Sequence, residues 1–280
     1  MTTTLRPAGP EEDLPGGGRS RRWLIRVNGR PVGALRTTAA PRGDQWWGEI
    51  SELEVAEGGR RRGRATVAAL AAEEVLRGWG CTRLDVTVPA GAPAALGLAR
   101  TLGYTERMRN LVKTLGELPE LPGDVTVRPI GAAEYGEWLE QAKAGYRADL
   151  ERSGLSPAQA RAKCETDHQH LLPRGHATDG VALRRLLDPG GTELGTLWLN
   201  LRAELLPDGP LAWVMVVAVH EPHRGHGHGR TLMLLAEREC LAAGVHRLGL
   251  NVFTGNRVAI GLYESLGYRV TRRVLGKPLI

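Results

Sequence analysis

The sequence predicts an α/β (α+β) protein made of two tandem copies of one unit, and three observations carry that reading. The first is an internal repeat. Val55 to Tyr104 can be laid over Val219 to Tyr268 at a constant offset of 164 residues (219 against 55) without a gap. The second is that strand, glycine-rich turn and helix patterns follow in the same order in both copies. The third is length, because 280 residues suit two ordinary domains better than one.

In the repeat, Val55, Arg60, Gly63 and Ala65 fall under Val219, Arg224, Gly227 and Gly229. Gly80 falls under Gly244, and Leu102, Gly103 and Tyr104 fall under Leu266, Gly267 and Tyr268. One such match could be chance; a full set in register is not.

In the second copy, residues 211–219 (LAWVMVVAV) form an apolar, β-branched run, which predicts a buried strand. A glycine-rich turn follows, then a helix pattern from Thr231 that Gly244 closes. Next come a strand at 248–253, a helix at 257–266 closed by Gly267, and a last strand at 269–275 that completes the unit. The first copy repeats this order: a strand up to Val55, a helix at 65–77, a strand at 84–88, a helix at 93–102 and a strand at 107–115.

Upstream the copies differ. The second opens with a strand from Val125, two helices at 133–152 and 156–172, and strands at 181–187 and 195–202. Ser156 followed by Pro157 is a good N-cap and first-turn pair. In the first copy only residues 11–22 separate the first strand from the second, which leaves no room for two helices. The domains are therefore expected at 1–116, shortened and non-catalytic, and at 124–280, with 116–124 (GELPELPGD) as a linker.

Hydrophobic residues make up 42% and charged residues 24%, as in ordinary globular proteins. No stretch reaches the roughly 18 apolar residues of a membrane span, so no membrane is expected as a partner. The N-terminal segment lacks the apolar core of an export signal. Cys81, Cys164 and Cys240 are scattered and odd in number, which fits small buried hydrophobes in a reducing cytoplasm. The net charge of +6 points to an anionic partner: nucleic acid, a membrane surface or a phosphorylated cofactor.

The segment around Arg224 discriminates among these. Glycines let a backbone approach a ligand closely, and the first N–H groups of the next helix would point at an anion such as a diphosphate. The spacing is neither G-x-G-x-x-G nor the Walker pattern, so a dinucleotide or ATP fold is not supported.

Arg224, Gly227 and Gly229, with Val219 five residues before the arginine, resemble the acyl-CoA loop of the GNAT superfamily of N-acyltransferases. Asn251, Asn256, Ala259 and the run Leu262 to Tyr268 resemble its second signature. The resemblance covers nearly all of the second copy. It implies two units, each a splayed, mostly antiparallel mixed sheet flanked by helices, and an N-acetyltransferase that uses acetyl-CoA and no metal. The resemblance places the pantetheine arm along the backbone of Val217 and Val219. It places the diphosphate on N–H groups of Arg224, Gly225, His226, Gly227, His228, Gly229, Arg230 and Thr231, with Asn251 and Asn256 also in the cofactor site.

Tyr263 would lie beside the CoA sulfur as the catalytic residue. A thiol titrates near ~8.5 and a tyrosine near ~10, so its main contribution is expected to be stabilising the developing thiolate. The acceptor amine, small-molecule or peptide, would attack the thioester directly in a ternary complex. Glu204, Glu165 and a water chain remain open as the base.

Structural readings stand beside these. The glycines also suit a tight turn, Tyr263 a helical core aromatic, and Tyr268 packing. His220, His223, His226 and His228 lack the spacing and companions of a metal site; they suit a solvated loop or contact with phosphate. In the first copy, Ala99 stands where the second has Tyr263, and Ala92 where it has Asn256. That copy is therefore expected to be silent and to pack as an internal pseudo-dimer, in a monomer or a homodimer.

Two further functions remain open, a non-catalytic acyl-CoA sensor and nucleic-acid binding through Arg60, Arg61, Arg62 and Arg64. The absence of interleaved aromatic residues argues against the latter.

Overall fold

Burial alternates along the long strands, as period-two sequences require: Trp23, Ile25 and Val27 are buried, and Leu24 and Arg26 between them are not. The computed structural model describes residues 2–43, 45–206 and 209–279, apart from the side chains at 204–206. The first elements are β1 (Thr3–Pro7), β2 (Glu12–Leu14), β3 (Gly18–Val27), β4 (Arg30–Arg42), β5 (Gln45–Val55) and α1 (Arg64–Gly78). They are followed by β6 (Cys81–Pro89), α2 (Pro93–Thr101), β7 (Thr105–Thr114), β8 (Thr126–Pro129), α3 (Ala132–Arg152) and α4 (Pro157–Leu171). The chain continues with β9 (Val181–Leu187), β10 (Glu193–Leu206), β11 (Gly209–Val219), α5 (His228–Ala242), β12 (Arg247–Phe253), α6 (Arg257–Ser265) and β13 (Arg269–Pro278). Among the described residues no helix is long and apolar enough to cross a membrane.

Two compact units result, one of Met1–Met108 with Arg272–Ile280, the other of Arg109–Thr271. In the first unit β1, β3, β4, β5 and β6 lie side by side; β5 and β6 run parallel and the other pairs antiparallel. Asn28 and Gly29 both take positive φ (48° and 81°) in the two-residue turn between β3 and β4, as a tight hairpin demands. Between β1 and β3 stand only β2 and one short turn at Pro15–Gly17, so the pair of helices is missing there.

In the second unit β8, β9, β10 and β11 are antiparallel, β11 and β12 parallel, and β7 lies beside β12. Leu232, Met233, Leu248 and Leu250 form its core on the α5 side. Burying each such side chain contributes about 1.5–3 kcal/mol. On the other face, α3 and α4 cover Trp198, Leu183 and Ile130. Ser156 caps α4 reciprocally with Gln159, as the Ser-Pro start predicts.

One element departs from the sequence reading. The strand expected to close the second copy, β13, instead pairs through Arg272–Pro278 with β6 of the first unit. Leu275 and Leu279 enter that unit's core, and Leu279 N–H donates to Thr82 O at 2.8 Å. In the second unit Leu111 and Leu115 fill the same places, and Leu115 N–H donates to His246 O at 2.8 Å. Each of these positions is related to its counterpart by the 164-residue offset. Two strands with the same apolar pattern fit either sheet, so pattern alone could not tell which copy each serves.

Candidate functional site

In the second unit β11 pairs with β10 as far as Val219 opposite Gly195. Its parallel register with β12 covers only Ala212–Val214 opposite Leu248–Leu250. A bulge at Met215 accompanies the change: Trp198 faces Val216, and the next residue, Leu199, faces Val214. Past Val214 the two parallel strands part, and the backbone of Val217 and Val219 forms an edge able to pair with an extended ligand.

The chain then turns through Glu221–His223 into the glycine loop. Arg224 Nε donates to Val219 O at 3.2 Å, which ties the loop to the strand end. Gly225 and Gly227 take φ of 81° and 88°, and Gly227 is the N-cap of α5. Among the described residues no side chain caps α5, and its first turn holds no acidic residue, so the leading N–H groups at His228 and Gly229 suit an anion. Gly229 keeps α5 close to α6, since a Cβ there would lie 3.3 Å from Leu262 Cδ2. Arg230 donates to Ser265 Oγ at 2.7 Å across the same helix pair, and Thr231 is buried behind the loop.

The His226 and His228 rings stack with centres 6.2 Å apart. Among the described residues no group of three or more His, Cys, Asp or Glu could hold a metal. The first unit repeats the loop, with Arg60 Nε donating to Val55 O at 2.8 Å and Gly63 as N-cap of α1. There Arg61 holds a positive φ of 56° where the second copy has Gly225.

Tyr263, on α6, is partly buried with its ring centre 6.1 Å from that of Tyr268. Burial pushes its phenol above the ordinary value, so it is protonated at neutral pH and available as a donor. Tyr268 is 2% exposed within the core, as packing predicts. Asn256 Oδ1 accepts from Ala259 N–H at 3.1 Å and caps α6. Asn251 Oδ1 accepts from Trp213 Nε1 at 3.3 Å.

Sequence reasoning missed Trp213. Its indole lies over β12 at Gly249, where a Cβ would come within 2.4 Å of the ring. A glycine inside an apolar strand is the signal that could have revealed this approach. The repeat places Glu49 and Asp85 where the second copy has Trp213 and Gly249, and the two acids face each other across β5 and β6. Ala99, in the place of Tyr263, is buried.

The base candidates separate. Glu165 is held by Lys143 Nζ at 2.7 Å, which keeps its carboxyl below the usual range. The side chain of Glu204 lies outside the described residues. All three cysteines are buried; burial pushes Cys81 up to about 11 and Cys240 up to about 12.

Comparison with known proteins adds to this geometry. The model of the Acetyltransferase (GNAT) family matches residues 4–104 and 155–268. The mycothiol acetyltransferase of Thermomonospora curvata is 29% identical over 258 residues, 90% of this chain and 80% of that protein. The uncharacterized N-acetyltransferase YycN of Bacillus subtilis is 26% identical over 158 residues, 55% of this chain and 99% of that protein.

Among solved structures, a tandem GNAT protein from the clavulanic acid biosynthesis pathway aligns with a TM-score of 0.54 at 20% identity, over 96% of this chain and 85% of that one. A GCN5-related N-acetyltransferase from Sphaerobacter thermophilus aligns with a TM-score of 0.58 at 19% identity, over 92% and 80%. At such identities the structural likeness speaks for the fold.

Proposed function

Because this chain belongs to the acetyltransferase (GNAT) family and is thereby an acyl-CoA-dependent acetyltransferase, we propose that its second unit moves an acetyl group from acetyl-CoA to a primary amine. The observation that carries this assignment is the conjunction of a parted strand pair with an uncapped, glycine-led helix at its end. The edge of Val217 and Val219 suits the amide-bearing arm of the donor. The N–H groups of Gly225, His226, Gly227, His228 and Gly229 suit its diphosphate, whereas those of Arg224, Arg230 and Thr231, expected to join them, already donate to Glu221 O and Gly227 O. Asn251 and Asn256 flank the site.

Acetyl-CoA, when bound, supplies an activated thioester. The amine attacks it directly in a ternary complex, and a backbone N–H near the end of β11 holds the carbonyl oxygen as charge develops. Tyr263 donates a hydrogen bond to the departing sulfur. Its raised pKa makes charge stabilisation the larger part of its work and full proton transfer the smaller. The first unit, with Ala99 at that position, is silent in catalysis.

Mycothiol acetyltransferases that resemble nine-tenths of this chain put mycothiol-type amines first in an acceptor screen. The decisive experiment is calorimetric titration of acetyl-CoA into the wild type and a Gly227→Trp variant, with folding checked by circular dichroism. Binding lost in the variant supports the assignment. Undiminished binding moves the cofactor elsewhere, and no binding to the wild type refutes it.

A further inference from the structure

Among the described residues, three buried polar side-chain atoms without hydrogen-bond partners belong to one aromatic layer of the second unit. They are Trp138 Nε1 on α3, His168 Nε2 on α4 and Trp198 Nε1 on β10. The Trp198 ring centre lies 5.4 Å from that of His168 and 5.8 Å from that of Trp138. The three residues are 5%, 5% and 3% exposed. An unmatched buried donor or acceptor costs about 1–3 kcal/mol, and native interiors match roughly nine in ten or more. Three such atoms in one layer point to a ligand that matches them.

Their polarity defines that ligand. His168 Nδ1 lies 2.8 Å from Cys164 O. A carbonyl oxygen only accepts, so Nδ1 carries the proton and Nε2 presents a lone pair. The two indole N–H groups only donate. Two donors and one acceptor complement a single water oxygen, which accepts from the indoles and donates to the imidazole.

The layer also has the right address. Trp198 sits opposite Val216 on β11, one residue before Val217, and packs with Met215 and Val216 beneath α3 and α4. Nearby carboxylates are occupied, Glu165 by Lys143 and Asp167 by Lys163 and Tyr146.

We infer that His168 is the proton acceptor of the transfer reaction, reached through a water held by the Trp138 and Trp198 N–H groups. The inference rests on the second unit being the transferring site. As the amine nitrogen bonds to the thioester carbonyl carbon and the C–S bond breaks, the amine releases one proton to the water. The water passes one of its own to His168 Nε2, sulfur leaves with the electron pair beside Tyr263, and the imidazolium returns its proton to solvent.

Long-range proton–nitrogen NMR of histidine-labelled full-length protein tests the site without any acceptor, the His168 signal being assigned by its loss in His168→Gln. The neutral Nδ1–H form is expected at neutral pH; an Nε2–H tautomer or an imidazolium overturns the inference. The second arm compares turnover and acetyl-CoA binding in His168→Gln and His168→Ala, with the best amine from the acceptor screen, or with acetyl-CoA hydrolysis where none is found.

The expected result is a kcat loss of roughly 10²–10⁴-fold with acetyl-CoA affinity kept, and partial rescue of the alanine variant, but not the glutamine variant, by added imidazole. A glutamine variant within about threefold of wild type overturns the role, because general-base catalysis supplies far more. So does an alanine variant that binds acetyl-CoA normally and is not rescued. Failure of the wild type to bind acetyl-CoA defeats the transfer reading and this role together, whereas the NMR result separates the site from the reaction.

Discussion

Lys113 Nζ donates to both carboxylate oxygens of Glu237, at 2.7 and 2.8 Å, although the two residues belong to different copies of the repeat. The counterpart pair, Lys277 and Glu73 at 2.8 Å, joins the copies in the opposite sense. Glu237 and Glu73 are 3% and 4% exposed, and each lysine also lies over a core tyrosine, Lys113 over Tyr268 and Lys277 over Tyr104. Each unit therefore neutralises its buried glutamate with a lysine from the other copy's sequence.

Removing one member of such a pair leaves a buried charge without a partner. Lys113→Met is expected to cost about 3 kcal/mol, at the low end for a buried pair because the lysine is partly exposed. Adding Glu237→Leu should recover much of that loss. Urea denaturation of both variants checks this; a single variant as stable as the double would contradict it.

Tyr263→Phe should lower kcat by roughly one to three decades while acetyl-CoA binding holds, since only the hydroxyl proposed to face the sulfur is lost. Steady-state kinetics with calorimetry decides. Unchanged turnover would leave Tyr263 as a packing residue.

Gly249→Ala puts a methyl group 2.4 Å from the Trp213 ring, so the indole must move. A loss of about 1–3 kcal/mol is expected, as for other overpacked sites. Combining it with Trp213→Leu should restore stability. If thermal melts show the single variant matching wild type, the close approach plays no part.

His168 carries a pH prediction. Burial holds its pKa below the ordinary value and Lys143 acts in the same direction, against the Cys164 carbonyl, Glu165 and Asp167. The unfolded chain thus binds more protons than the native one between that depressed pKa and ~6.5. This contribution to stability is present above ~6.5 and lost on acidification through the lower value. Unfolding free energies measured across this range should fall toward acid for wild type, and His168→Gln should flatten the slope.

Much of the fold was readable from local pattern. Ser156 and Pro157 mark the start of α4, and the 164-residue register reveals the duplication. The glycine loop was legible because its backbone conformations leave few choices of residue: Gly225 and Gly227 hold φ above 80°. What escaped depends on contacts distant in sequence. Trp213 meets Gly249 from another strand, and the layer of Trp138, His168 and Trp198 draws on two helices and a strand. The destination of β13 escaped for a different reason, since Leu111 and Leu275 are interchangeable in kind.

That exchange sets an order for biosynthesis. A ribosome delivers β1 to β6 long before Arg272–Pro278, so the edge of β6 waits without the strand it finally keeps. The nascent chain already carries β7, which has the same Leu-x-Lys-x-Leu pattern at 111–115 as the later strand has at 275–279. The shared pattern predicts a provisional pairing of β7 with β6 that yields when β13 emerges. Hydrogen exchange should find β6 protected in the full-length chain and, in chains stalled before residue 272, protected only while β7 is present.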